Sequence, residues 1–425
     1  MVLELNLTKP AGRLALAMGA FAGGLLLLAL IVSRFVIGTL ADYRIAVTRD
    51  MLRVPVEYFP GSARLNARLA SAELSQSDRD LGRAESHAQR AVNLSPHDYR
   101  FRLTLATIKE AGGDRAAAEE SLKSASALAS NYWSVHYRLG NLLVREGKLT
   151  ESLDEFRIAV IINRELLAGT LDLVWRASGG DVNAVQAVSG NDPRTRLALA
   201  QFLLKVSRPA EAASIFSSID RRDRIASSRE SSAFLDTLIA AGKLETARDL
   251  LSDLAGSDRQ SAPIWNGSFE SDIAKDFAQF EWSLGRTEYA RLAIDETVAR
   301  SGSRSLRIDF AGQDTTRLDN EVKQMVLLRP GARYRLECYA KTSGFETPEG
   351  PRVVVTGSAS PVWIAASEPV ARGSSDWQRL TVDFVAPENA NGAFVSVKRK
   401  PKFSYDEPTR GTVWFDDFSI REHSK

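Results

Sequence analysis

Near the end of the chain two acidic residues, Asp416 and Asp417, stand side by side, and Glu270 opens the same C-terminal region. Neighbouring carboxylates raise each other's proton affinity unless a cation or a basic group offsets the repulsion. Two arrangements meet that demand. Either Asp416 pairs with an arginine while Asp417 faces water, or the acids gather around a cation. The histidines promise less. His87, His97 and His136 show no H-x-x-x-H spacing with a nearby acid, so they read as solvated or packed residues rather than ligands. Cys338 is the single cysteine, so no intramolecular disulfide forms, and its place in an alternating apolar run makes it a buried thiol. The chain has no G-x-S-x-G elbow, phosphate-binding loop, H-E-x-x-H or C-x-x-C. Carboxylate pairs for glycoside hydrolysis show only in three dimensions. With no catalytic-sized domain outside the segments below, the chain reads as a non-enzyme.

The elements that must hold these residues begin with an apolar one. Leu14 to Ser33 carries no charge and is rich in Leu, Ala, Gly, Val and Phe, bracketed by Arg13 and Arg34. A run of roughly 20 apolar residues matches the hydrocarbon core of a bilayer. A cleaved signal peptide would have a shorter apolar region and a small-residue cleavage site after it, and no A-x-A site follows here. Residues 14–40 are therefore expected to be a transmembrane anchor, and residues 1–13 a cytoplasmic tail. The charges on its flanks pull both ways. Lys9 and Arg13 favour a cytoplasmic N-terminus, whereas Arg34, Arg44, Arg49 and Arg53 favour the opposite orientation.

Residues 41–255 read as helical, and a period runs through them. Leu65, Tyr99 and Trp133 are each 34 residues apart, which brings Ala84, Ala118 and Ser152 into register, then Ala88, Leu122 and Phe156, then Ala91, Ala125 and Ala159. Gly113 and Gly147 fall in the turns of paired helices, and Pro96 ends the first unit. Similar units follow at Leu199, Ala200, Ala212 and Phe216, and at Leu235, Gly242, Ala247 and Leu251, while Arg164 to Asn191 forms a shortened or distorted pair. The pattern resembles the tetratricopeptide repeat (TPR), which implies a solenoid whose concave face binds a protein partner. Arg68, Arg102, His136 and Arg138 either line that face or are merely solvated.

After Gly256 the composition changes. Residues 256–262 form a polar linker, and beyond it apolar residues alternate at period two, as half-buried strands require. Leu306, Ile308 and Phe310 share one face, as do Tyr334, Leu336, Cys338 and Ala340, then Leu380, Val382 and Phe384, then Ala393, Val395 and Val397. Arg329-Pro330-Gly331-Ala332 and Pro387-Glu388-Asn389 supply turns. Residues 263–425 are expected to be a two-sheet sandwich.

Asn266-Gly267-Ser268-Phe269-Glu270, Ser301-Gly302-Ser303-Arg304-Ser305-Leu306, Tyr334-Arg335-Leu336, Asp376-Trp377-Gln378 and Trp414-Phe415-Asp416-Asp417-Phe418 occur in order across this region. Together they resemble the jelly-roll, galactose-binding-like carbohydrate-binding modules attached to bacterial glycanases. That resemblance implies a structural Ca²⁺ held by Glu270, Asp416 or Asp417, and a carbonyl near Ser303. It also places Trp282, Trp377 and Trp414 in the core. It leaves Trp265, Trp363, Phe403 and Tyr405 as the aromatic candidates for stacking on a glycan. Lys398-Arg399-Lys400-Pro401-Lys402, the clearest charge cluster, is either a solvated edge that blocks strand pairing or a contact for anionic sugar or phospholipid.

Across its 425 residues the chain has 44% hydrophobic and 25% charged residues, the balance of a folded protein rather than a disordered one. Its 55 basic and 53 acidic residues give a net charge of +2, too little excess for general nucleic-acid binding. The expected architecture is multidomain: a transmembrane helix, an all-α TPR-like solenoid, then an all-β jelly-roll sandwich. The expected function is a non-catalytic scaffold in the inner membrane of a bacterium, its body periplasmic by the resemblance of the last domain. It would bind a protein partner and a polysaccharide, in polysaccharide export or envelope assembly. A pure protein-interaction scaffold and an unrecognised glycan-active enzyme are the alternatives.

Overall fold

The computed structural model describes residues 10–41, 48–75, 79–255, 263–358, 362–388, 391–403 and 405–423. The expected linker at 256–262 and most of the expected tail, residues 1–9, lie outside the described residues. By its internal contacts the chain divides into two compact units, Met1–Gly190 and Asn191–Lys425.

The first unit opens with helix α1, Pro10–Ala41, whose large apolar side chains from Leu14 to Val36 are exposed, Phe21 and Leu26 among them. Helix α2, Arg49–Tyr58, follows, and then come three antiparallel helix pairs: α3, Ala63–Leu74, with α4, Leu81–Leu94; α5, Tyr99–Ala111, with α6, Arg115–Leu128; and α7, Trp133–Arg145, with α8, Leu149–Ile162. The 34-residue register is the packing register. Ala84, Ala118 and Ser152 are fully buried, and so are Ala91, Ala125 and Ala159, because small side chains let paired helices approach. Asp80, Asp98 and Asp114 cap α4, α5 and α6 by accepting backbone N–H groups at 3.0–3.1 Å. Gly113 and Gly147 take φ of +83° and +76° in the turns, where a side chain would be strained. As the broken period implied, a shortened pair ends the unit: α9, Leu167–Ala177, and α10, Val182–Ser189.

The second unit begins with further helices: α11, Pro193–Lys205, and α12, Pro209–Ser217; the short α13, Arg221–Ala226; then α14, Ser228–Ala240, and α15, Leu244–Ala255. Gln279, ahead of the first strand, donates to the Ser232 carbonyl and to Asp236 on α14 at 3.3 and 3.2 Å.

Ten strands follow among the described residues: β1, Ser283–Leu284; β2, Ala290–Asp295; β3, Ser305–Gln313; β4, Leu318–Leu327; β5, Arg333–Glu346; β6, Arg352–Gly357; β7, Trp363–Ala366; β8, Gly373–Val385; β9, Gly392–Arg399; β10, Thr409–Glu422. They form two antiparallel sheets. The first has the order β1-β4-β9-β6-β7 and the second β2-β3-β10-β5-β8. The faces expected from alternation close the core between them: Leu306, Ile308, Leu336, Cys338, Val382, Val395 and Val397 are all buried there, with Trp282 and Phe415. Burial also pushes the Cys338 thiol up from its ordinary value.

Candidate functional site

The sequence-expected metal residues meet different parts of the loop after β2: Glu270 contacts Ser303 and Arg304, while Asp416 and Asp417, midway along β10, contact Arg300 and Ser301. Glu270 accepts the Ser303 and Arg304 amides on Oε1, both at 2.9 Å, and the Ser303 hydroxyl on Oε2 at 2.9 Å. These amide bonds hold its carboxyl below the usual carboxylate range. Gly302 makes this approach possible, because a Cβ there would collide with the Glu270 carboxylate. The pairing of β10 with β5 shifts register between Asp416 and Ser419, and Asp417 within that bulge takes φ of +53°. Asp416 is fully buried and accepts the Arg300 and Asp417 amides at 2.8 and 2.7 Å. Burial pushes its carboxyl up to about 6, against the pull of the Arg300 amide. Asp417 accepts the Ser301 hydroxyl at 2.6 Å and pairs with the Arg300 guanidinium, which lies 3.4 Å over the Tyr339 ring. Arg304 bridges Asp272 and Glu296 at 2.8 and 2.6 Å.

Calcium takes six to eight oxygen ligands. Here the carboxylate oxygens face N–H and O–H donors, and two guanidinium groups already offset the charge. Among the described residues no group of three or more His, Cys, Asp or Glu converges. With Arg300 on Asp417 the arrangement does not fit a bound Ca²⁺.

The four glycan candidates do not share one platform. Trp265 is half-buried, with its indole N–H on Glu281 at 3.1 Å and its amide on Gln324. Phe403 and Tyr405 are exposed on the loop after β9, Tyr405 donating to Asp314 at 3.1 Å. Trp363 opens β7, half-exposed, with the Lys400 ammonium 4.8 Å from its ring centroid. Of the tryptophans expected in the core, Trp282 and Trp414 are buried. Trp377 is only half-buried, because its odd position on β8 opposes the inward Val382 and Phe384.

Trp363 belongs to a cross-strand row. Met325 on β4 pairs with Phe394 on β9, Phe394 with Thr356 on β6, and Thr356 with Trp363. The next row is Lys323, Ser396 and Val354, and beyond it Lys398 pairs with Arg352. Because Ala393, Val395 and Val397 point into the core, Phe394, Ser396 and Lys398 take the outer face. Phe394 has the Lys323 ammonium 5.3 Å from its ring.

The basic run at 398–402 proves to be divided. Arg399 is fully buried, not exposed, and pairs with buried Asp406 at 3.0 Å while donating to the Thr316 and Glu349 carbonyls. Burial pulls the Arg399 pKa down. Burial alone would raise that of Asp406, but the Lys402 and Phe403 amides and the guanidinium outweigh it, so the pair is ionised. Arg399 continues the inward odd register of Ala393, Val395 and Val397, a parity the sequence already displayed.

On the repeats, two of the four candidates for a concave face are buried instead. Arg68 and His136 pack inside, His136 between Glu155 at 2.7 Å and the Ser130 carbonyl at 2.9 Å. Arg138 is exposed and donates to Thr107, and Arg102 donates to the Pro96 carbonyl. An open cleft of about 650 Å³ lies by the turn between α4 and α5, lined by Pro96, His97, Asp98, Tyr99, Arg100 and Tyr132.

No family model and no curated protein matches the chain. Solved structures resemble its two kinds of module separately. A CBM4 structure is 22% identical, covering 38% of this chain and 99% of its own length at a TM-score of 0.29. A thermophilic TPR protein of Thermus thermophilus is 23% identical, covering 31% of this chain and 70% of its own length at a TM-score of 0.26. The Yersinia enterocolitica type III secretion chaperone SycD, in complex with a peptide of the translocator YopD, is 19% identical, covering 29% and 88% at a TM-score of 0.23. The chain is a region of repeated helix pairs followed by a two-sheet antiparallel β-sandwich.

Proposed function

We propose that the chain is a non-catalytic scaffold that holds a protein partner on its helical repeats and a glycan on the outer face of its first sheet, fixed to a membrane by α1. The observation that carries the reading is the row Met325, Phe394, Thr356 and Trp363. It sets two half-buried aromatic rings, Phe394 and Trp363, on either side of buried Thr356, on the side of the sheet turned away from the sandwich core. Sugars are held in this way, with apolar ring faces against aromatics and hydroxyls against polar side chains. For the repeats, the support is the cleft by the α4–α5 turn, where the Tyr99 and Tyr132 rings lie 4.9 Å apart and Tyr132 is exposed. Aromatic side chains in such clefts are favoured anchors for protein partners. A periplasmic body on a bacterial inner membrane, serving polysaccharide export or envelope assembly, is the setting in which these parts work together.

The test is retention of the full-length protein, in detergent, on immobilised polysaccharides. The expected result is retention that Trp363→Ala abolishes. Failure to bind any polysaccharide, with a protein recovered on the repeats, would leave a pure protein scaffold. Steady release of reducing ends would overturn the non-catalytic reading.

A further inference from the structure

The outer face of the first sheet carries more positive charge than sugar stacking requires. Lys398 is only 8% exposed, yet among the described residues no carboxylate forms an ion pair with it. The acids that face it are committed elsewhere. Glu321 accepts the Asp319 and Asn320 amides at 2.7 and 2.9 Å, and Asp319 lies 3.9 Å from Arg317. Burial lowers the Lys398 pKa, Asp319 and Glu321 raise it, and Lys400 and Lys323 lower it further. The Lys398 stem is buried, but its ammonium is not among the buried polar atoms left without a partner, so the charge reaches the surface, where a bound anion can pair with it. On the same face the rings of Phe394 and Trp363 have lysine ammonium groups over them, from Lys323 and Lys400. A neutral sugar stacking on either ring would have to displace a cation from it. A sugar bearing an acid group keeps the cation in place and pairs with it. Arg352, across from Lys398, is already bound to Glu349 and the Ser367 carbonyl, so it frames the site rather than competing for the ligand.

We propose that this face binds an acidic polysaccharide, with an acid group of the sugar chain seated on Lys398 between Lys323 and Lys400, and sugar rings against Trp363 and Phe394. The inference rests on the glycan reading above and narrows it to a ligand class.

The experiment titrates the full-length protein in detergent with short oligouronides and with the same oligosaccharides after carboxyl reduction. Anionic lipid vesicles and dextran sulfate serve as other polyanions. The expected result is binding to the oligouronides alone, weakened roughly tenfold or more by Lys398→Met, as loss of a charge-assisted hydrogen bond implies. Lys400→Met, at an exposed position, should weaken it by a smaller factor, while the exposed Lys275→Met should leave it unchanged. Lys400→Met keeps the test decisive if Lys398→Met does not fold. Equal binding of the carboxyl-reduced sugars would overturn the acidic-ligand inference and leave the glycan reading standing. Binding of vesicles or dextran sulfate as tight as that of oligouronides, and equally insensitive to Lys398→Met and Lys275→Met, would overturn it in favour of general anion attraction. Binding of no saccharide of either kind would overturn both.

Discussion

Arg300 shows how a single side chain changes what a cluster of acids can do. Its guanidinium pairs with Asp417 and its amide with Asp416, so the residues for which the sequence resemblance implies calcium are offset by the chain's own cation. We predict that the melting temperature of the full-length protein is the same in excess chelator as in excess calcium. Arg300→Ala should lower stability by about 1–3 kcal/mol, because it strands a carboxylate beside buried Asp416. A fall in melting temperature on chelation of the unmodified protein would show instead that a metal displaces Arg300 and gains its binding energy. The pairing could not be read from the sequence. The loop at Arg300 reaches Asp416 because β3 and β10 lie side by side in the second sheet, and Glu270 joins them because Gly267 accepts the Phe418 amide at 2.9 Å.

At the scale of elements, the 34-residue spacing translates directly into contact. Gly140 on α7 faces Phe156 on α8 so closely that an added Cβ would lie 2.8 Å from the ring. Phe156 belongs to the 34-residue register, and a small residue opposite a large one is what a close helix pair requires. Gly140→Ala should therefore destabilise by about 1–3 kcal/mol through overpacking, despite the helix propensity that alanine adds. Chemical denaturation would measure it. Phe156→Leu in the same chain should recover part of the loss, and an additive, unrelieved double variant would refute the contact as its cause. In the sandwich, period-two alternation was equally legible and went further than a hydrophobic reading takes it. Parity alone puts Arg399 inward with Val397 and puts Lys398 outward with Ser396 and Phe394. What parity cannot supply is the partner. Asp406 reaches Arg399 from a loop, and the bareness of Lys398 emerges only when Asp319 and Glu321 are seen bound elsewhere. Arg68 and His136 are buried, which their sequence positions did not show: a polar residue on a helix can be buried once a neighbour pairs with it, as Glu155 does with His136.

For the whole molecule, the decisive element is α1. The apolar stretch Arg13–Val36 has 24 residues, about 36 Å of helix, against a hydrocarbon core of ~30 Å. Its side chains are unburied, so the helix contributes nothing to a soluble core and has no polar face to present to water. A leader that is removed after export meets the same description, and the two differ in what remains on the mature chain. If α1 is an anchor, protein recovered from the producing cell keeps residues before Leu14, sediments with membranes and resists alkaline carbonate. Removing residues 1–41 should release the rest into the soluble fraction with the sandwich still folded, since its core draws on residues from Ile264 onward. A mature N-terminus beyond Ser33 would turn the tether into a leader. The repeats and the sheet face would then act free of the membrane, and binding of an acidic glycan would have to be what keeps the protein at its place of work.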